Sequence, residues 1–227
     1  MSKSGGSLLP LACAILPVVA VHWAWWLSRA AGYIPDCIPH LEGCTSISRA
    51  ARHGTGNAIF KLLMLPAAVL QAWHWRRSAD WLEANAARRW SRGLRPLGVV
   101  AGVALAVYAL FLGTEGPAYG WLRRYGIVFY FAGTFCAMGV FLRGMQHAPV
   151  DPRWRRSMLA LCFAMLALGL ASVFAPVVRD ALLEDRFRDV LEWWIGGLFA
   201  LWFLLHAAFV RGQTPNVPVQ PRVESAT

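Results

Sequence analysis

Charged residues are scarce in this chain: Asp, Glu, Lys and Arg make up only 15% of its 227 residues. Lysine is almost absent, since Lys3 and Lys61 are the only two. Hydrophobic residues, in contrast, account for 57% of the chain. A soluble domain of this size could not bury so much apolar surface, so the composition excludes an ordinary soluble protein. The dominance of Arg over Lys and the abundant Ala suggest a GC-rich, bacterial gene.

The hydrophobic residues are grouped into six long runs, and a helix needs roughly 20 apolar residues to cross a hydrocarbon core of about 30 Å. The runs lie at about residues 8–28, 58–75, 97–114, 127–142, 158–177 and 190–210. This pattern predicts an all-α fold, a polytopic membrane protein whose six-transmembrane-helix bundle is a single domain over residues 1–211. The first run could instead be a signal peptide, but it is longer than a usual signal core and only Lys3 precedes it.

Other segments have a polar character. Residues 212–227 contain three prolines and no apolar periodicity, so we expect a disordered cytoplasmic tail. Residues 78–90 and 179–189 carry apolar side chains among charges and are candidates for helices on the membrane surface, with plain polar loops as the alternative.

The net charge of +10 is explained by the membrane and not by nucleic acid, because the arginines lie at the ends of the apolar runs. Six spans place alternate loops on opposite sides. The side that carries both termini holds 13 Lys and Arg residues, and the other side holds 8. Cytoplasmic loops are enriched in cations, so we expect both termini in the cytoplasm and the protein in the bacterial inner (plasma) membrane.

The outer loop, residues 29–57, is the segment richest in reactive side chains. Cys37 and Cys44 face an oxidising compartment there, which favours a disulfide. A zinc site formed with His40 and His53 is the alternative, but its spacing matches no standard pattern, and we expect neither a metal nor another cofactor.

The same loop contains the residue types of a nucleophilic catalyst. Ser48, His53 and Asp36 could act as nucleophile, base and orienting carboxylate of a membrane-embedded lipid hydrolase or acyltransferase. These residues are also ordinary in loops, and nothing in the sequence shows that they converge.

Lys61 and Glu192 are ionisable residues inside predicted spans. They are the fourth residue of the second span and the third of the sixth, so both lie within roughly 6 Å of the outer boundary. Because their depths match and their charges are opposite, we predict an ion pair beneath the outer loop. Independent extension of each side chain to the headgroups is the alternative. His22, in the outer half of the first span, could join this cluster.

Three short motifs resemble the DRAM/Frag/Sfk family of six-span membrane proteins, which includes damage-regulated autophagy modulators and a post-GPI-attachment factor. The motifs are Ile47-Ser48 with Ile59-Phe60 ten residues later, Arg123-Arg124-Tyr125-Gly126 before Phe129-Tyr130-Phe131, and Glu192-Trp193. The chain departs from the family at Arg49, where the family has Asp, and at Ala51, where it has Gly.

The resemblance implies a lipid-binding or lipid-regulating protein without an established catalytic mechanism, whose partners are membrane lipids. A small transporter is less favoured, because the charged side chains are shallow. Gly98 and Gly102 form a small-residue pair that we expect to pack within the monomer, with a homo-oligomer as the alternative. The candidate lipid-pocket residues are Ser46, Ser48, Arg49, Arg52, Lys61, Glu192 and His22.

The distribution of cations gives a testable topology. Single-cysteine reporters at Ala86 and Gln146 should be protected from an impermeant thiol reagent on intact cells, whereas a reporter near Gly43 should be labelled. Labelling at Ala86 together with protection near Gly43 would invert the predicted orientation.

Overall fold

The structure is a computed structural model that describes residues 5–174 and 181–213. Within these ranges the chain forms eight α-helices, a 3-10 turn at Met145–His147 and no strand. The helices are α1 Gly5–Ala30, α2 Pro39–Glu42, α3 Ile47–Ala50, α4 Gly54–Ala84, α5 Arg88–Phe111, α6 Pro117–Gly144, α7 Pro152–Phe174 and α8 Ala181–Gly212. Six of them are long and apolar enough to cross a membrane, which confirms the predicted all-α six-helix architecture of an integral membrane protein.

The long helices extend beyond the apolar runs. Helix α4 has 31 residues, so it is about 46 Å long and exceeds a hydrocarbon core of about 30 Å. The prediction of a separate surface helix at 78–90 is wrong, because residues 78–84 continue α4 and the chain turns at 85–87 before α5. Ala79 and Leu82 remain in the hydrophobic core, which explains why the helix continues.

Residues 181–189 likewise belong to α8 and not to a separate surface helix. Residues 179–180, the last part of the predicted fifth span at 175–177 and the predicted tail from residue 214 lie outside the described residues.

The six long helices form a closed bundle. Helix α1 packs between α4 and α8, α5 packs between α4 and α6, and α7 packs against α8 and more lightly against α6. We call the end that carries α2 and α3 the loop end, and the end near residues 5 and 213 the terminal end. Towards the terminal end α4 and α8 meet directly, with ring centroids 5.4 Å apart in the pair Trp75–Trp202 and 4.6 Å apart in the pair His74–His206.

Helices α4 and α5 pack closely against each other, and two glycines permit it. A Cβ atom on Gly98 would lie 2.2 Å from Cβ of Trp75, and one on Gly102 would lie 2.8 Å from Cβ of Ala72. The small-residue pair therefore packs within the monomer, as predicted.

Replacement of Gly98 by Ala should destabilise the bundle. The added methyl group forces apart two helices in contact, so we expect the free energy of unfolding in detergent to fall by about 1–3 kcal/mol. Gly93 is the matched control on the same helix, since a Cβ there would meet no atom within 4 Å. Gly93→Ala should be neutral or stabilising by up to about 1 kcal/mol, because Ala favours helices. Equal thermal unfolding of the two variants would contradict the close contact.

Candidate functional site

The outer loop is fastened to α8. A disulfide joins Cys37 and Cys44, whose Cα atoms are 6.5 Å apart. The indole N–H of Trp193 donates to the carbonyl of Thr45 at 2.8 Å, and that of Trp194 donates to the carbonyl of His40 at 3.1 Å. These bonds hold the loop over the end of the bundle.

Helix α3 is positioned by polar contacts from three sides. Ser46 caps it by accepting the N–H of Arg49 at 3.2 Å, and the Ser28 hydroxyl donates to the carbonyl of Ala50 at 2.6 Å. The Asn57 amide donates to Ala51 and Leu112 carbonyls at 2.8 and 3.0 Å. These contacts attach the end of α3 to α1 and α4, and α3 also contacts α8.

Glu192 faces the start of α3. Its carboxylate points to the backbone N–H groups of Ser48 and Ile47, and Asp189 and Arg49 are its charged neighbours. Arg49 is ion-paired with Asp189 at 3.5 Å. The side chain of Glu192 therefore lies against the start of α3, at the loop end of the bundle.

Beneath the loop lies a mainly apolar cavity bounded by α1, α4, α5, α6 and α8. Its polar side chains are His22, His40 and Glu192 at the loop end, Tyr108 and Tyr130 midway, and Gln71 deeper in the bundle. Along α8 the wall extends from Glu192 to Phe203, which is about 16 Å at 1.5 Å per residue. The cavity thus extends through about half of a 30 Å hydrocarbon core.

Histidine and tryptophan rings form the loop-end wall of the cavity. The rings of His22 and His40 are stacked with centroids 5.3 Å apart, and His40 lies 4.9 Å from Trp193. The ring N–H of His22 donates to the carbonyl of Val18 at 2.8 Å. Burial, and next the nearby His22, lowers the pKa of His40 below its ordinary value of 6.5. His40 is therefore neutral at neutral pH. One of its ring nitrogens can donate a hydrogen bond and the other can accept one.

Gln71 is an unusual residue in the wall, because its side chain is 1% exposed. Its amide lies near the phenol of Tyr130. Neither amide atom makes a hydrogen bond of normal geometry within the part of the chain that the structure describes. A buried amide without partners is unfavourable by about 1–3 kcal/mol, so Gln71 marks a place where a ligand or water would gain hydrogen bonds.

The cavity opens sideways between α1 and α8. Of the residues that line it, Val18, His22 and Gly197 are the exposed ones, and they lie on those two helices. Its free volume is about 90 Å³, well below the roughly 300–1,000 Å³ of pockets that enclose a drug-sized ligand. It can therefore accept one thin chain or a small group, with the rest of a larger ligand outside.

The structure places the sequence-predicted pocket residues in the wall of the cavity, just above it or away from it. His22 and Glu192 line the cavity, and Ser46, Ser48 and Arg49 lie just above it in and beside α3. Arg52 is exposed and, like Lys61, does not line the cavity. His40, Gln71 and Gly197 also line the cavity but were not among the predicted pocket residues. From the sequence, His40 is a candidate only for a zinc site, and the signal for Gln71 is a glutamine in the middle of an apolar run.

The predicted catalytic set is not assembled. The Ser48 hydroxyl pairs with that of Ser46 at 3.2 Å, and Asp36 is ion-paired with Arg29. His53 precedes α4, where its ring contacts Tyr33. No hydrogen bond within residues 5–174 and 181–213 joins Ser48, His53 and Asp36 to one another.

The predicted ion pair between Lys61 and Glu192 is wrong. Among the described residues Lys61 makes no ion pair, and Glu192 faces α3 instead. Their depths match, but α1 packs between the helices that carry them. Depth along a span does not specify position around a bundle.

Comparisons of this chain with family models, with curated proteins and with solved structures find no match. The residues and their geometry are therefore the basis for assigning a function.

A double-mutant cycle tests the separation of Lys61 from Glu192. The effects of Lys61→Met and Glu192→Gln on the free energy of unfolding should add within about 0.5 kcal/mol, because the two side chains share no contact. Thermal unfolding in detergent provides the measurement. A coupling energy above about 1 kcal/mol would restore the ion pair.

Proposed function

We propose that this protein binds a membrane lipid through the loop-end cavity and does not act on it chemically. The observation that supports this function best is the form of the cavity, which is polar at the loop end, apolar below it and open sideways between two helices. An amphipathic molecule that already lies in the bilayer has the same order of groups. Such a ligand would enter from the membrane and not from water.

The cavity can hold part of one acyl chain, and the rest of that chain would lie outside it, between α1 and α8. The wall from Glu192 to Phe203 is about as long as one leaflet of hydrocarbon. Gly196 and Gly197 lie along that wall, and a Cβ on Gly197 would meet no atom within 4 Å. Because glycine has no side chain, these two positions leave a shallow channel on α8 in which an acyl chain can lie.

The headgroup would lie among His22, His40 and Glu192. A carboxylate accepts hydrogen bonds, and a neutral imidazole can donate or accept one. This set favours a headgroup with its own donors, such as the ammonium of a zwitterionic lipid or a hydroxyl group. The fixed loop above would keep the headgroup close to the wall.

The resemblance to the DRAM/Frag/Sfk family supports the same proposal, because that family is linked to lipids. Its matching residues Ile47, Ser48, Phe60, Tyr130 and Glu192 lie in or beside the cavity. With both termini in the cytoplasm, as the cation distribution favours, the ligand would come from the outer leaflet of a bacterial inner membrane.

Filling the channel should prevent lipid binding. Gly197→Leu places a side chain in the lateral opening, where an added Cβ meets no atom within 4 Å. We therefore expect the occupancy of phospholipid retained through purification in mild detergent to fall at least about tenfold. Native mass spectrometry measures the bound lipid. Gly93→Leu, at an equally open helix position outside the cavity, should retain lipid as the wild type does.

Val18→Trp obstructs the opposite edge of the opening and provides an independent variant. Lipid occupancy equal to wild type in both Gly197→Leu and Val18→Trp would refute the proposed function.

A further inference from the structure

A second, larger cleft lies towards the terminal end between α1, α4 and α8. Its volume is about 760 Å³, within the range of roughly 300–1,000 Å³ that is typical of ligand pockets. Leu9, Leu70, Trp81 and Phe209 form apolar walls. Rings of Trp75, Trp202 and Phe203 lie between this cleft and the deep part of the loop-end cavity.

The rim of the cleft is positively charged. Leu8, Trp73 and Arg77 line it and are exposed, so it opens between α1 and α4. Arg77 makes no ion pair with any residue of 5–174 or 181–213. None of the described residues that line the cleft is acidic.

Two buried histidines lie in the wall below Arg77. His74 and His206 are each 2% exposed, and their rings are 4.6 Å apart. Nε2 of His74 and Nδ1 of His206 have no hydrogen-bond partner among the described residues. Ser78, which is also buried, lies one turn from His74 on the same helix. Buried polar atoms without partners, on residues that line a cleft, are places where a ligand or water can complete the hydrogen bonding.

We propose that this cleft binds an anionic phospholipid from the leaflet at the terminal end. The phosphate pairs with the guanidinium of Arg77 and the hydroxyl of Ser78, since Arg donates to phosphate through a planar fork. The ester carbonyls, which lie just below the phosphate in such a lipid, accept hydrogen bonds from the rings of His74 and His206. The acyl chains lie against the apolar walls.

The sign of the charge selects the lipid class. A zwitterionic headgroup brings its own cation beside Arg77, where no carboxylate of the cleft can balance it. A headgroup with a net negative charge neutralises Arg77 without adding a cation.

Adjacent arginines allow a matched test. The full-length protein in detergent is heated with and without phosphatidylglycerol, and separately with phosphatidylcholine. Phosphatidylglycerol should raise the midpoint of unfolding more than phosphatidylcholine, because a ligand stabilises the form that it binds. Arg77→Gln should abolish that difference, and Arg77→Lys, which keeps the charge but loses the planar fork, should retain only part of it. Arg76→Gln removes the same charge from an exposed residue outside the cleft and should behave as wild type.

The variants distinguish a specific lipid site from a general effect of surface charge. Equal loss in Arg76→Gln and Arg77→Gln would show a general effect of surface charge and overturn the site, as would a phosphatidylglycerol shift in Arg77→Gln as large as that of the wild type. His74→Phe and His206→Phe keep an aromatic ring but remove the hydrogen bonds, and each should reduce the phosphatidylglycerol shift by at least half. An unchanged shift in both would overturn the role of the histidines.

Discussion

The contact between α4 and α8 through Trp75 and Trp202 determines where the two cavities lie. Both indole rings are fully buried, and aromatic pairs add about 0.5–1.5 kcal/mol beyond the area they bury. Because the helices meet at this level, the space between them towards the loop end is left for a cavity. The histidines next to the same contact form the wall of the terminal-end cleft. One contact therefore separates the small loop-end cavity from the larger terminal-end cleft, at different depths in the membrane.

The number and type of the helices could be predicted from the sequence because hydrocarbon offers the backbone no hydrogen bonds. An apolar run of about 20 residues then has one favourable structure, a helix that satisfies its own N–H and C=O groups. The ends of the helices could not be predicted in the same way. Charged residues follow Trp75 in α4, which looked like the end of a span, but Ala79 and Leu82 keep the helix in contact with the core.

The candidate site was predictable only in part. The outer loop could be selected because it is rich in reactive side chains. His22 and Glu192 could be selected because polar side chains are rare in spans. Lys61 could not be excluded, because depth follows from sequence spacing whereas the angle around the bundle follows from packing. His40 and Gln71 could not be selected, because their place in the cavity depends on neighbours distant in sequence. His40 packs against Trp193, and Gln71 lies near Tyr130.

Because the opening between Val18 and Gly197 faces the bilayer, the affinity of this protein for a ligand has to be expressed relative to the surrounding lipids. A ligand that enters there stays within the bilayer, so occupancy depends on its mole fraction among the surrounding lipids and not on its concentration in water. Arrival is governed by two-dimensional diffusion and by exchange with the lipids that already border α1 and α8. Detergent dilutes the ligand and also competes for the opening. Composition of the membrane, more than supply from solution, would then regulate the protein.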